Sequence, residues 1–517
     1  MGQTDIGRMD IVRPDVLKIE EMGPVTDSKA QNHKVLGLIV VASALLLFFW
    51  GIWSIPLLSH NEARRLVVVR EMLANHQWLT PMKNGLLYFE KPPLFYWVGN
   101  FFSLLSGSTA EWVLRLPSAL AALFTTGFLY QRVSSYIGRQ QALFSVLILI
   151  SSHFYVMNAR RAEINVFFGM LCFSALLLYF DYLQREKQRY LFLSFTVLGL
   201  AALAKGPVAL VFFLPPLLIY GILQRDWKVF RGLVHPLGWS LFALVGGSWF
   251  VYALYGVPDS PLHAVIQKDI VVNAYEDATP DPFYAYIVYL LGAFAPWILI
   301  LFYQPKRWLK RLSSARERFM LCAFGVPFIV MSCFAAKHGK YMLPVYPFLA
   351  IVLGCAVSDV YDDFGQRWGK SFHTFFIRLA GGLLAILFAV LVLAPPHTQK
   401  HRFEALKPFA EKIRSLQGTD PVFSYRREQI QLIYYFGSPI PVLDNGQFKR
   451  KLELGQSFLL VAEEADRSAV EGRGLCLLEE FAPYLKKKRK GLLYGTSNYC
   501  QISKGKDPGM RRVAALQ

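Results

Sequence analysis

Apolar residues recur along this chain in runs of about 18 or more, long enough as helices to cross a hydrocarbon core of ~30 Å. The pattern predicts about eleven spans, at 35–57, 113–134, 140–157, 164–183, 190–204, 207–223, 237–256, 284–303, 319–335, 342–359 and 375–395. Residues 1–34 form a polar tail ahead of the first run, so they do not read as a cleavable signal peptide. After the last span the pattern changes. Residues 399–517 are mixed polar, with strand-like runs at Pro421–Ser424, Leu432–Tyr435 and Ser457–Val461 and amphipathic helical stretches near 403–416 and 477–488. The expected organisation is a cytoplasmic tail (1–34), a membrane unit (35–398) with an outer loop at 58–112, and a small soluble α/β domain (399–517) on the outer side.

Composition supports a polytopic α-helical membrane protein. Of 517 residues, 54% are hydrophobic and 18% charged, against about a quarter charged in soluble proteins. The net charge of +19 is not a nucleic-acid signature here, because much of it lies in short loops between spans. With the N-terminus in the cytoplasm, Arg132, Arg139, Arg185, Lys187, Arg189, Arg225, Lys228, Arg231, the cluster from Lys306 to Arg318, Arg367 and Lys370 all fall inside. Cys172, Cys322, Cys333 and Cys355 sit in apolar runs as packing residues. Cys476 and Cys500 could pair in an oxidising compartment, which the sequence leaves open. No Cys/His spacing points to zinc.

The positive-inside rule leaves a remainder. Arg64, Arg65, Lys91, Arg160, Arg161, Lys205, Lys268, Lys337 and Lys340 fall in outward loops, which are normally poor in such residues. A phosphate carried on a lipid at headgroup level would account for them; scattered contact with anionic lipids is the alternative. Within the first outer loop, LVVVREML has the spacing of an amphipathic helix lying along the interface. Asn84-Gly85 signals a turn. Pro92-Pro93 would hold an extended segment, fixing Lys91 beside Tyr88 and Glu90.

These residues carry a resemblance. HNEARRLVVVREML, NGLLYFEKPPLFYW and RLPSAL, then ARRAEIN at 159–165, LAKGPVAL at 203–210, DPFYAYIVYLLGAFAPW at 281–297 and KHGKYMLPVYPFLA at 337–350, resemble the phospholipid carrier-dependent glycosyltransferases. That group includes bacterial aminoarabinose transferases acting on lipid A and is related to protein O-mannosyltransferases. The likeness spans residues 50–350, about three fifths of the chain. It implies a C-type glycosyltransferase fold, a bacterial inner-membrane location and a polyprenyl-phosphate (undecaprenyl-phosphate-like) sugar donor used on the periplasmic side. It also implies that Lys91, Tyr88 and Tyr341 contact the lipid phosphate, that Lys205 is structural or phosphate-facing, and that Arg64 matches an arginine of the first loop. Lys268 is the only stand-in for an arginine usual in the 257–283 loop.

The chain departs from that group where it matters for catalysis. Asn61 and Asn165 stand where the family usually has Asp, and an amide cannot take a proton from an acceptor hydroxyl. Either Glu62, first, or Glu163, second, takes the base role, or the chain is a divergent member without activity; the intact phosphate-side residues favour the former. Glu62 could equally be an ion-pair partner for the loop arginines. Departing phosphate would be stabilised by Lys91, Arg64 and further by Lys205, Lys337 or Lys340. A divalent cation could bridge phosphate and carboxylate, though the two asparagines weaken that case. Competing functions are transfer to lipid A or another envelope glycolipid, transfer to a protein or polysaccharide, and lipid-linked sugar transport without catalysis. The last would be expected to show internal repeats and mid-membrane charge, and the sequence has neither.

Overall fold

The structure, a computed structural model, describes residues 27–55, 57, 59–258, 260–267, 281–303, 314–393, 406–481 and 490–504. Helix α1 (Asp27–Phe49) is followed by α2 (His60–Ala74), whose N-cap Ser59 accepts the Glu62 N–H at 3.0 Å. A two-residue hairpin comes next, β1 (Met82–Lys83) against β2 (Leu86–Leu87), turning through Asn84 (φ 56°) and Gly85 (φ 76°). Both turn residues need the left-handed region, which the Asn-Gly pair tolerates. Pro92-Pro93 does not hold an extended segment: Pro93 is helical and caps α3 (Leu94–Ser106). Proline at a helix start loses no hydrogen bond, which is why the pair opens a helix here.

The bundle continues with α4 (Glu111–Tyr136), α5 (Arg139–Ser151), α6 (His153–Ala159), α7 (Ile164–Arg185), α8 (Gln188–Lys205), α9 (Ala209–Gln224), α10 (Trp227–Leu233), α11 (Pro236–Tyr255), α12 (Ala285–Phe294), α13 (Ala315–Ser332) and α14 (Gly339–Leu393). Among the described helices, α4, α7, α11 and α14 are long and apolar enough to cross a membrane, or five spans if the pair α5 and α6, bent by 70°, counts as one. This is fewer than the eleven expected. Segments read as single spans are divided in the structure: Ser152 breaks 140–157, and a short 3₁₀ turn (Trp297–Phe302) replaces the end of 284–303. The two segments expected at 342–359 and 375–395 run as one rod with a break at Gly369 (φ 62°). Helix α7 threads the middle, with sixteen of its residues buried from Ile164 to Asp181.

The C-terminal domain holds a five-stranded sheet. Helix α15 (Leu406–Gln417) precedes β3 (Val422–Tyr425), then α16 (Ile430–Phe436), β4 (Val442–Leu443), α17 (Asn445–Glu453), β5 (Leu459–Glu463), β6 (Cys476–Phe481), β7 (Gly491–Gly495) and α18 (Ser497–Lys504). Strand order is β4-β3-β5-β7-β6, with β3 parallel to β4 and β5, and β7 antiparallel to β5 and β6. Side chains alternate: Phe423, Tyr425, Leu460, Leu492 and Tyr494 pack on one face, while Val422, Leu459, Val461 and Leu493 join the main core on the other. Cys476 and Cys500 form a disulfide with a Cα–Cα separation of 5.6 Å.

Two sequence expectations fail in this domain. Leu432–Tyr435 lies in a helix, since a short apolar run fits either state and Gly437, left-handed at φ 91°, ends it as a helix. The expected helix near 477–488 begins as strand β6, held by pairing to β7; residues 482–489 lie outside the described set.

Gly354 on α14 shows how closely the bundle is packed. A Cβ there would lie 2.7 Å from the Ser145 nitrogen of α5 and 2.8 Å from its Cα. Replacing Gly354 by Val should cost about 1–3 kcal/mol of stability, read as a lower thermal midpoint of the detergent-solubilised protein. An unchanged midpoint would mean that α5 and α14 separate without penalty.

Candidate active site

The 58–112 loop is anchored by a buried ion pair. Glu62 in the first turn of α2 accepts from Arg115 Nε of α4 at 2.7 Å, and neither side chain is exposed. Arg115 also donates to the carbonyls of Ile52 and Ile55 at 2.7 Å each, and the Ala162 N–H reaches Glu62 at 3.2 Å. Four segments therefore meet on one guanidinium–carboxylate pair. Glu62 is thus an ion-pair partner, though of Arg115 in α4 and not of the loop arginines, and its carboxylate is enclosed. Arg115 was not singled out from sequence, although a lone arginine in WVLRLPSAL demands a partner and was a usable signal.

Beside this anchor lies a group of cations. Arg64 Nη1 pairs with Glu90 at 2.8 Å and reaches the Tyr88 hydroxyl at 3.4 Å, while its Nη2 donates to Asn61 Oδ1 at 2.7 Å. The Tyr88 hydroxyl donates to Glu90 at 3.3 Å; burial pushes that phenol above its ordinary pKa, so it stays neutral. Arg65 pairs with Glu163 at 3.2 Å and donates to the Ala162 carbonyl at 2.8 Å. Asn165 donates to Glu163 at 3.2 Å and accepts from Lys205 Nζ at 2.6 Å. That ammonium lies 4.6 Å from the centre of the Tyr341 ring and 5.1 Å from Phe168. Lys340 lies in the field of Glu163, Arg65, Arg64 and Lys91, and Lys91 in that of Lys205.

The local fold explains the convergence. The bend between α5 and α6 carries the chain back so that Glu163 caps α7, with Asn165 in its first turn. Gly169, one turn on, lets the Lys340–Pro344 turn press close: a Cβ there would sit 3.2 Å from Pro344 Cα. Burial alone would raise the Glu163 carboxyl, but Arg65 and then Lys340 outweigh it and hold it below its ordinary value. Glu163 is thus a carboxylate at neutral pH.

Of the residues singled out from sequence, Asn61, Arg64, Tyr88, Lys91, Glu163, Asn165, Lys205, Lys340 and Tyr341 come together. Arg65 joins them. Glu62 stands apart on Arg115. Lys337 does not serve as a phosphate ligand: it is buried, and its ammonium donates to the carbonyls of Phe334 (2.7 Å) and Asp281 (3.1 Å). Arg160 is likewise taken up structurally, donating to the Leu47 carbonyl near the end of α1 at 2.8 Å. Lys268 lies outside the described residues. Among the described residues, no three His, Cys, Asp or Glu side chains gather to hold a metal ion. Helix α2 does not lie free along an interface, because Leu66, Val67, Val68, Val69 and Met72 are buried and the C-terminal domain covers it.

This is a polytopic membrane protein of the C-type glycosyltransferase fold. Residues 90–252 match the dolichyl-phosphate-mannose-protein mannosyltransferase family. An uncharacterised protein of Aquifex aeolicus is 30% identical over 61% of this chain and 62% of its own length. The undecaprenyl phosphate-alpha-4-amino-4-deoxy-L-arabinose arabinosyl transferase of Edwardsiella ictaluri is 28% identical over 70% of this chain and 66% of its own. These alignments span about two thirds or less of those relatives. The crystal structure of ArnT from Cupriavidus metallidurans bound to undecaprenyl phosphate superposes with a TM-score of 0.75 at 20% identity, covering 88% of this chain and 97% of that one. The chain is thus similar to lipid-carrier-dependent glycosyltransferases, in keeping with the resemblance its loop motifs carry.

The anchor has a measurable signature. Arg115→Leu strands the Glu62 carboxylate in the interior and should cost about 3–5 kcal/mol; the double variant Glu62→Leu/Arg115→Leu should recover part of it. Thermal midpoints in detergent decide. A Glu62→Leu protein with wild-type stability but no activity would return Glu62 to a catalytic role.

Proposed function

We propose that the protein moves a sugar from a polyprenyl-phosphate donor to lipid A or another envelope acceptor, at the periplasmic face of a bacterial inner membrane. One observation carries this reading: among the described residues, the basic side chains of Arg64, Arg65, Lys205 and Lys340, with Lys91 beside them, gather around two carboxylates, Glu90 and Glu163. Gathering like charges in partly buried surroundings is unfavourable unless an anion completes the group. A lipid phosphate at headgroup level has that charge, and the enzyme from Edwardsiella ictaluri is named for undecaprenyl phosphate.

The geometry supports the following chemistry. The acceptor oxygen attacks the anomeric carbon, its proton passes to the Glu163 carboxylate, and the bond from that carbon to the phosphate oxygen breaks. The polyprenyl phosphate leaves with the electron pair, stabilised by Lys91, Lys340 and Arg64. Asn165 holds Glu163 and Lys205 in register, and Asn61 holds Arg64. The asparagines thus orient charged groups whose protons and charges do the work. The Cys476–Cys500 pair supports a C-terminal domain in an oxidising compartment, in keeping with the basic inner loops.

The test is expression of wild type and Glu163→Gln in a Gram-negative strain lacking its own copy, with mass spectra of the extracted lipid A. A sugar-sized increment should appear with wild type and fall about a hundredfold or more in the variant. An increment that survives removes Glu163 from the base role, and none with either protein removes lipid A as acceptor. Separately, Lys91→Ala and Lys340→Ala should each weaken undecaprenyl phosphate binding to the purified protein about tenfold, a loss of ~1.4 kcal/mol. Unchanged affinity in both would move the phosphate elsewhere.

Glu163 also sets a pH dependence. Its pKa is held low, so turnover should persist at and just below the ordinary carboxylate range and drop only at more acidic pH. A drop already near pH 6 would point to another base.

A further inference from the structure

The C-terminal domain meets the first outer loop at a node that also reaches both limbs of the cation group. Asn84, left-handed and buried at the hairpin turn, makes a two-way pair with the backbone of Ile440: Nδ2 donates to its carbonyl at 2.9 Å and Oδ1 accepts its N–H at 2.7 Å. The side-chain amide stands in for a neighbouring strand. From the other side, the buried Glu71 carboxylate of α2 accepts the N–H groups of Asn84 (2.8 Å) and Gly85 (3.0 Å). Lys83 pairs with Glu428 at 2.9 Å. Arg70 donates to the Tyr434 carbonyl and lies 4.3 Å above its ring, and the Tyr434 hydroxyl donates to the Thr109 carbonyl at 3.0 Å.

This node is placed where it can act on the site. Glu71 sits less than two turns beyond Arg64 and Arg65 on the same helix, and the strand leaving the hairpin leads directly to Tyr88, Glu90 and Lys91. Tyr88 is itself fastened by its N–H to the Pro81 carbonyl at 2.8 Å, across the base of the hairpin. Movement of the turn is therefore transmitted to the phosphate side of the group. Glu71 couples the turn to one limb, and chain continuity couples it to the other.

We infer that the C-terminal domain is a working part of the site and that Asn84 is the positioning residue through which it sets the Tyr88–Lys91 segment; this rests on the reading of the cation group as a phosphate grip. The test uses full-length protein in detergent. Asn84→Gly preserves the left-handed turn but removes the amide, and Asn84→Asp keeps only the acceptor toward Ile440. Two readouts apply: hydrogen–deuterium exchange of the Leu86–Lys91 amides and the Kd for undecaprenyl phosphate. Asn84→Gly should speed that exchange about tenfold and raise Kd about tenfold at an unchanged bulk thermal midpoint, with Asn84→Asp in between. If Asn84→Gly instead eases proteolytic release of the C-terminal domain while exchange and Kd stay at wild-type values, the node is a tether and the inference falls. Should Asn84→Gly not fold, Glu428→Gln, which breaks the half-exposed pair with Lys83, is judged by the same readouts. If wild type itself does not bind undecaprenyl phosphate, the phosphate reading fails, and the exchange result alone decides whether the domain sets the segment.

Discussion

The Glu62–Arg115 pair is the constraint on which the loop face of this protein depends. Two charges removed from water are unfavourable alone, and their attraction offsets this only when every remaining donor and acceptor is used well. Arg115 also donates to the carbonyls of Ile52 and Ile55, and the Glu62 Oε1 it pairs with also accepts the Ala162 N–H, while Glu62 Oε2 has no hydrogen-bond partner among the described residues. The end of the α1 segment, the start of α2, the start of α4 and the strand entering α7 are thereby fixed to one another. Arg64 and Arg65 on one element, and Glu163 and Asn165 on another, inherit their spacing from that junction.

Against this fixed frame the basic group is the opposite case, one that concentrates like charge. Arg64 and Arg65 each have a carboxylate partner, and Lys91, Lys205 and Lys340 bring further basic side chains to the same place. Lys205 is steadied by an amide oxygen and two aromatic faces, which stabilise its position. On the proposed reading, a group set in place this way would bind an anion with little reorganisation.

Much of this was legible in the sequence. The Asn84-Gly85 turn could be read because few residue pairs tolerate two successive left-handed positions, and the helix over LVVVREML because its apolar spacing is strict. The surplus cations in outward loops marked the region where Arg64, Arg65, Lys91, Lys205 and Lys340 come together. What could not be read was where each carboxylate is held. Glu62 and Glu163 look alike in the chain, and only Arg115, 53 positions from Glu62, separates their fates. Lys337 and Lys340 differ by one turn of a loop, yet one is consumed by backbone carbonyls and the other faces the group. Short apolar runs such as Leu432–Tyr435 stayed ambiguous because helix and strand bury them equally well.

The pairing of Asn84 with Ile440 joins residues 356 positions apart. At synthesis rates of ~5–20 residues per second, the first loop emerges roughly 20–70 s before its partner does. During that interval the hairpin and the outer side of α2 stand without the surface that covers them. Arg70, Lys83 and Asn84, which make the polar part of the contact, can be satisfied by water in the meantime. The apolar part, where Leu66 and Val69 of α2 share a core with Ile430 and Ile433, is covered only once the later segment folds.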